Sequence, residues 1–131
     1  MNSPNERTYF PAPTGLGPLP FSSGVLVGNT FYLSGHLGID PATKRVPESP
    51  EREAELMLEA LRGTLAKAEL TFQHLVFVQV FCSDISLFER FNTVYRKYFK
   101  ENEPLPARAF IGSGPLLLGA RFEIQGIAVK P

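Results

Sequence analysis

Two charged side chains stand out because their neighbours are apolar. Arg108 lies within Leu105-Pro106-Ala107-Arg108-Ala109-Phe110-Ile111, and Glu123 lies within Phe122-Glu123-Ile124 at the start of a run ending Gly126-Ile127-Ala128-Val129. A charge placed among apolar residues costs free energy unless it is paired or used. A guanidinium presents a planar fork of donors that matches a carboxylate. A carboxylate beside it can position water or move a proton. One reading pairs Arg108 with a structural carboxylate, Glu123 itself being the obvious partner. The other has both groups gathered around a small anionic ligand.

The remaining candidates for chemistry are few. His36 and His74 have no partners at metal-ligand spacing, and Cys82, the only cysteine, excludes an internal disulfide and a cysteine-based zinc site. Cys82 sits in an apolar strand and reads as an inert core residue. His74 reads as a surface turn residue, and His36, following Ser34-Gly35, as a possible lining residue of a cleft. Gly112-Ser113-Gly114 is too short and wrongly placed to cradle a phosphate. No cofactor and no metal is expected.

Composition narrows the class of partner. The chain has 131 residues and zero formal net charge, with no basic stripe, which disfavours nucleic acid as a partner. No apolar segment is long enough to span a membrane. The N-terminus, Met1-Asn2-Ser3-Pro4-Asn5-Glu6, lacks a positive region followed by an apolar stretch, so no secretory leader is expected and the cytoplasm is the expected location. A chain of this length is expected to form one domain, residues 1–131, with a Pro/Gly-rich arm over residues 1–20.

The elements that must position Arg108 and Glu123 can be read in order. An edge strand is possible near Arg7 to Phe10, ended by Pro11. Val25-Leu26-Val27 and Thr30-Phe31-Tyr32-Leu33, joined by Gly28-Asn29, predict a β-hairpin. Gly38 to Pro47 predicts a loop. Ser49-Pro50 predicts a helix start, with Ala54, Met57, Leu58, Leu61, Leu65 and Ala68 on one apolar stripe. Gly63 inside that helix points to close packing. Leu75 to Cys82 predicts a central strand, with Val76, Val78, Val80 and Cys82 facing the helices and Gln79 and Ser83 facing away. An apolar face left uncovered by helices predicts a subunit contact. Ser86 to Glu89 has capping-box spacing ahead of a second helix with Phe88, Phe91, Val94, Tyr95, Tyr98 and Phe99 as its stripe. Strands near Ala107–Gly112 and Arg121–Val129 complete an α+β order β-β-β-α-β-α-β-β, with both helices on one face of a mixed sheet and right-handed crossovers wherever the joined strands are parallel.

Several spaced motifs carry a resemblance. Leu33-Ser34-Gly35-His36 followed by Ile39-Asp40-Pro41, then Phe91-Asn92 with Tyr95, then Pro106-Ala107-Arg108, then Phe122-Glu123-Ile124 with Ile127-Ala128-Val129, occur in order from Pro20 to Val129. In these the chain resembles the YjgF/RidA family, also called the L-PSP endoribonuclease family. The resemblance implies a chorismate-mutase-like fold in which the last strand inserts between the first hairpin and the middle strand. It also implies a homotrimer with ligand clefts between subunits. The implied activity is hydrolysis of reactive 2-imino or enamine acids, such as those released by pyridoxal-phosphate dehydratases, to 2-keto acids and ammonia.

Carried over by position, Arg108 would clamp the substrate carboxylate and Glu123 would orient or activate water. Ser34, Gly35 and Asn92 would shape the cleft or add hydrogen bonds. This chain departs from the family at Phe21, where many deaminating members have tyrosine, at Phe110, where cysteine, serine or threonine is common, and at His36, which replaces a frequent glutamine. The departures imply a more aromatic pocket and a larger or aromatic imino or keto acid. The alternatives are a non-catalytic trimer that binds a keto acid and, least favoured at zero net charge, an endoribonuclease.

Overall fold

The sheet is assembled from both ends of the chain. The computed structural model describes residues 3–15 and 17–131; Met1, Asn2 and Leu16 lie outside the described residues, and with them those parts of the expected arm and N-terminus. The strands β1 (Arg7–Pro11), β2 (Ser22–Val27), β3 (Thr30–Leu37), β4 (Leu75–Cys82), β5 (Ala107–Gly112) and β6 (Phe122–Val129) form one six-stranded sheet in the order β1-β2-β3-β6-β4-β5. The last strand therefore lies between the hairpin and the middle strand. Only β4 and β5 are parallel; the other neighbouring pairs are antiparallel. The hairpin turn has φ of +57° at Gly28 and no positive φ at Asn29, the pattern of a type II′ connection.

Helix α1 (Pro50–Lys67) begins where the sequence places it. Ser49 is extended and its hydroxyl accepts from the Arg52 N–H, with Pro50 at the first helical position. The stripe from Ala54 to Ala68 is buried along its whole length. Each fully buried leucine or methionine on it contributes about 1.5–3 kcal/mol. The helix ends without glycine. Glu69 adopts φ of +61° and the Leu70 N–H returns to the Leu65 carbonyl, closing a Schellman turn.

Gly63 is the exception to the expected packing. It is exposed, and a Cβ there would meet nothing within 4 Å. Gly63→Ala is therefore expected to raise stability by about 1 kcal/mol, read as a higher urea midpoint at unchanged slope. A lower midpoint would restore the close-packing explanation.

Strand β4 turns Val78, Val80 and Cys82 under the helices as expected, but Val76 faces solvent at 47% exposure. A register shift between Leu75 and Phe77 against β6 gives Leu75 the inward place instead. Ahead of helix α2 (Phe88–Tyr95) the expected cap at Ser86 is also displaced. Asp84 accepts from the Ser86 N–H and hydroxyl in a 3-10 turn, and Leu87 at the α2 N-cap makes no side-chain cap. Arg90 on α2 reaches back to α1 and pairs through two nitrogens with Glu51.

One irregularity in β3 bears on the site. Leu33 pairs with Gly126 and His36 with Ile124, so Ser34 and Gly35 together oppose the single residue Gln125. This is a β-bulge, and it changes which side chains face the helices. Phe31 and Leu33 point inward before it, and His36 points inward after it.

Candidate active site

Arg108 enters on β5, the last strand of the sheet, immediately after Pro104 and Pro106 end the preceding loop. Its partner across the ladder is Val78 and that of Phe110 is Val80, both fully buried beneath the helices. Arg108 therefore sits on the helical face, at the edge of the sheet. Four aromatic rings surround its guanidinium: Tyr95 at 4.8 Å, Phe110 at 5.5 Å, Phe88 at 5.7 Å and Phe91 at 6.0 Å from carbon to ring centroid. Ring faces attract a cation by about 0.5–2 kcal/mol depending on desolvation, and they use none of its N–H donors. Among the described residues, Arg108 pairs with no carboxylate. Its fork is held in place and left unspent.

The sequence marks Phe88, Phe91 and Tyr95 only as helix-stripe core; their second task, enclosing Arg108, follows from the parallel pairing of β5 beneath α2. Asn92 is buried on the same helix. The Tyr95 hydroxyl is buried with no protein partner. Burial pushes its phenol up to about 12, against the opposing pull of the Arg108 charge. Removing an unpaired buried hydroxyl removes its desolvation penalty, so Tyr95→Phe is expected to stabilise the free protein by about 1 kcal/mol in denaturant unfolding. A loss of stability would mean that the hydroxyl has a bonding partner in solution.

Glu123 lies on β6 opposite Phe81 and Leu37, on the face without helices. Its carboxylate rests on the bulge: a Cβ at Gly35 would collide with Oε2. A side chain at position 35 would therefore displace the Glu123 carboxylate from where it lies. Among the described residues, Glu123 makes no ion pair. Partial burial raises its pKa above the ordinary carboxylate value. Ser34, beside Gly35, donates its hydroxyl hydrogen to the Ser22 carbonyl, so toward a ligand it can only accept. Phe21 is half-exposed and lines a cavity with Gly35 and His36.

The candidates thus fall into two groups. Arg108, Phe110 and Asn92 belong to the α2/β5 edge, while Phe21, Ser34, Gly35 and Glu123 belong to the other group, near the β3 bulge. Arg108 and Glu123 point from opposite faces of the sheet, with β4 between their strands. The ion pair between them that composition invites does not form within the chain.

Other expectations resolve locally. The His36 ring donates Nδ1–H to the Ser34 carbonyl at 2.6 Å, and Nε2 accepts from the Thr64 hydroxyl at 2.8 Å. Burial holds its pKa below the ordinary value, against the opposing hydrogen bond to the Ser34 carbonyl. His74 caps a 3-10 turn, accepting from the Thr71 N–H. Cys82 is fully buried, with its thiol against the Asp84 carbonyl. Among the described residues, no three His, Cys, Asp or Glu side chains cluster closely enough to hold a metal ion, and no helix is long and apolar enough to cross a membrane.

One functional-looking carboxylate escaped the sequence. Glu53 is completely buried, and its Oε2 accepts the Arg121 N–H at 2.7 Å and the Phe122 N–H at 3.1 Å while Oε1 pairs with the Arg121 guanidinium at 2.8 Å. It anchors the start of β6 one residue before Glu123.

The sheet order and the one-sided helices define an α+β protein with the YjgF-type mixed sheet. Residues 14–130 match the Endoribonuclease L-PSP family. A 2-iminobutanoate/2-iminopropanoate deaminase of Bos taurus is 39% identical over 120 residues, covering 91% of this chain and 85% of that protein. The Homo sapiens protein of the same name is 36% identical with the same coverage. Among solved structures, the YjgF gene product of E. coli superposes with a TM-score of 0.82 at 30% identity, covering 92% of this chain and 94% of that one. RidA from an Antarctic Psychrobacter gives 0.80 at 31% identity, covering 98% and 99%. The chain belongs to the Endoribonuclease L-PSP family, the YjgF/RidA family.

Proposed function

We propose that the protein is a cofactor-independent hydrolase of reactive 2-imino or enamine acids, acting as a cytoplasmic homotrimer with its sites between copies. The observation that carries this reading is the pair of charges on opposite faces of the sheet, each without an ion-pair partner among the described residues. One chain cannot bring them together, whereas two copies can if the edge of one meets the open face of the next. That open face is apolar enough for contact. Tyr32, Ile111 and Val129 are exposed there, and the Gln125 amide donates to the Gln79 amide oxygen at 2.7 Å. The deaminase names of relatives from cattle and humans favour this chemistry over ribonuclease action.

In the proposed cleft Arg108 of one copy clamps the substrate carboxylate through two parallel hydrogen bonds. Glu123 of another copy holds a water against the imine carbon. The water oxygen adds to that carbon as Glu123 takes a proton; that proton returns to nitrogen, and as the C–N bond breaks the hydroxyl proton passes to Glu123 and from it to the departing ammonia. An iminium acid and water thus become a 2-keto acid and ammonium, with every atom and charge accounted for. A protonated imine is already electrophilic, so orientation and one acid/base group suffice. Asn92 and Ser34 add polar contacts, while Phe21, Gly35 and Phe110 set the shape.

The test is to generate imines in place from amino acids with an oxidase and follow their loss with and without the protein. Glu123→Gln is expected to slow consumption by about 10²- to 10⁴-fold. Only the carboxylate form accepts a proton from water. The wild-type rate should therefore be full above the Glu123 pKa and fall as pH drops through it, with the acid limb displaced upward from that of an ordinary carboxylate because burial raises the pKa. A Glu123→Gln protein with unchanged rate would leave a keto-acid binder in place of an enzyme.

A further inference from the structure

The Glu123 carboxylate rests on a piece of backbone, at Gly35, that has no side chain of its own to hold it. A β-bulge leaves its extra residue out of the regular ladder, and glycine is the residue freest to turn. Side-chain hydrogen bonds take over at Ser34-Gly35. The Ser34 hydroxyl donates to the Ser22 carbonyl on β2. From the helical face, His36 donates Nδ1–H to the Ser34 carbonyl at 2.6 Å.

The second of these bonds continues into helix α1. The Ser34 carbonyl can only accept, so Nδ1 carries the hydrogen, and in the neutral ring Nε2 accepts from the Thr64 hydroxyl at 2.8 Å. The Ala60 carbonyl, at 3.4 Å, is the weaker alternative for that hydroxyl. His36 and Thr64 are both buried, where a polar group left unbonded costs about 1–3 kcal/mol. That cost ties the imidazole to both partners. The Ser34 carbonyl shares one planar peptide with Gly35, and the Glu123 carboxylate lies directly against Gly35 from the face without helices. Contacts therefore run without a gap from Thr64, through the imidazole and the bulge peptide, to Glu123.

We propose that Thr64 and His36 are positioning residues for Glu123: helix α1, acting through the imidazole, fixes the bulge peptide that sets where the carboxylate lies. The proposal rests on the deaminase reading above and adds to it the residues that hold its acid/base group.

The experiment takes two readings on each variant. One is steady-state consumption of the leucine-derived imine made by an amino-acid oxidase. The other is the NMR titration of the isotopically labelled Glu123 carboxyl carbon, identified by its loss in Glu123→Gln. Burial raises the Glu123 pKa, so the titration reports how closely the carboxylate is covered. Thr64→Val removes the hydroxyl and keeps the shape, and His36→Leu removes both ring nitrogens. Each should lower kcat about tenfold to a hundredfold, with KM within about twofold, since a displacement of about 1 Å suffices for such a loss. Each should also move the titration down, toward that of an ordinary carboxylate. His36→Gln, whose amide both donates and accepts, and Thr64→Ser, which keeps the hydroxyl, should hold both readings near wild type.

Lowered stability in Thr64→Val and His36→Leu with the titration unmoved, whether or not the rate falls, overturns the positioning role and leaves the deaminase reading intact. A titration that moves in a protein whose wild type consumes no imine overturns the deaminase reading and keeps the positioning role. An unmoved titration with no imine consumed overturns both. If His36→Leu does not fold, Thr64→Val decides alone.

Discussion

Arg108→Ala and Glu123→Gln chains, each nearly inactive alone, are expected to recover about a quarter of wild-type imine consumption when unfolded together and reassembled in equal amounts. The number follows from geometry. Arg108 and Glu123 project from opposite faces of one sheet, so in the proposed assembly each cleft would take its arginine from one copy and its carboxylate from another. With random assembly, half of the clefts receive an intact arginine and half of those an intact carboxylate. In that assembly, losing the guanidinium alone would remove the proposed bidentate grip on a carboxylate, worth about 2–5 kcal/mol, or some thirtyfold to several thousandfold in rate. The residual activity of either variant is thus well below the recovered quarter. Mixtures no more active than the separate variants would mean that every cleft is built within one chain, and the assembly reading would fail.

The largest expected effect on stability falls on a residue with no part in binding. Glu53→Ala should cost about 3–5 kcal/mol, a large share of the total for a domain of this size. The truncation leaves the Arg121 guanidinium without its carboxylate and the Arg121 and Phe122 N–H groups without acceptors. Arg121 retains the Pro47 and Glu48 carbonyls, which limits the loss. Glu53→Gln keeps an acceptor oxygen and should cost less. Urea unfolding of both variants checks the order. Equal stability of Glu53→Ala and the wild type would show that the β6 start is held by packing alone.

Local chemistry accounts for what was legible beforehand. The α1 stripe, the Ser49 cap, the hairpin turn and the limits of β4 and β5 are written in neighbouring residues, and the structure reproduces them. The fold class and the place of β6 came through the spaced motifs, because no local rule says which distant strands pair. The errors share one cause. Glu53 lies with Glu51 in an acidic first turn, where a carboxylate usually faces water and complements the helix dipole. Only the return of β6 from about seventy residues away makes it a buried acceptor. Val76 follows the alternation of its strand until the shift at Leu75, and Ser86 yields its cap to Asp84. The separation of Arg108 from Glu123 depends on strand direction and face, which spacing along the chain does not encode.

The bulge in β3 has a consequence for length rather than for side-chain identity. Strict alternation from Phe31 and Leu33 would carry Gly35 and Leu37 beneath α1 and swing the imidazole of His36 outward. The surplus residue opposite Gln125 reverses that parity for everything downstream. Removing one position between Leu33 and His36 would preserve every nearby motif letter but one, yet it would exchange the two surfaces of the strand where Glu123 finds its glycine. A half-site of this kind is more sensitive to a single-codon deletion than to most replacements within it.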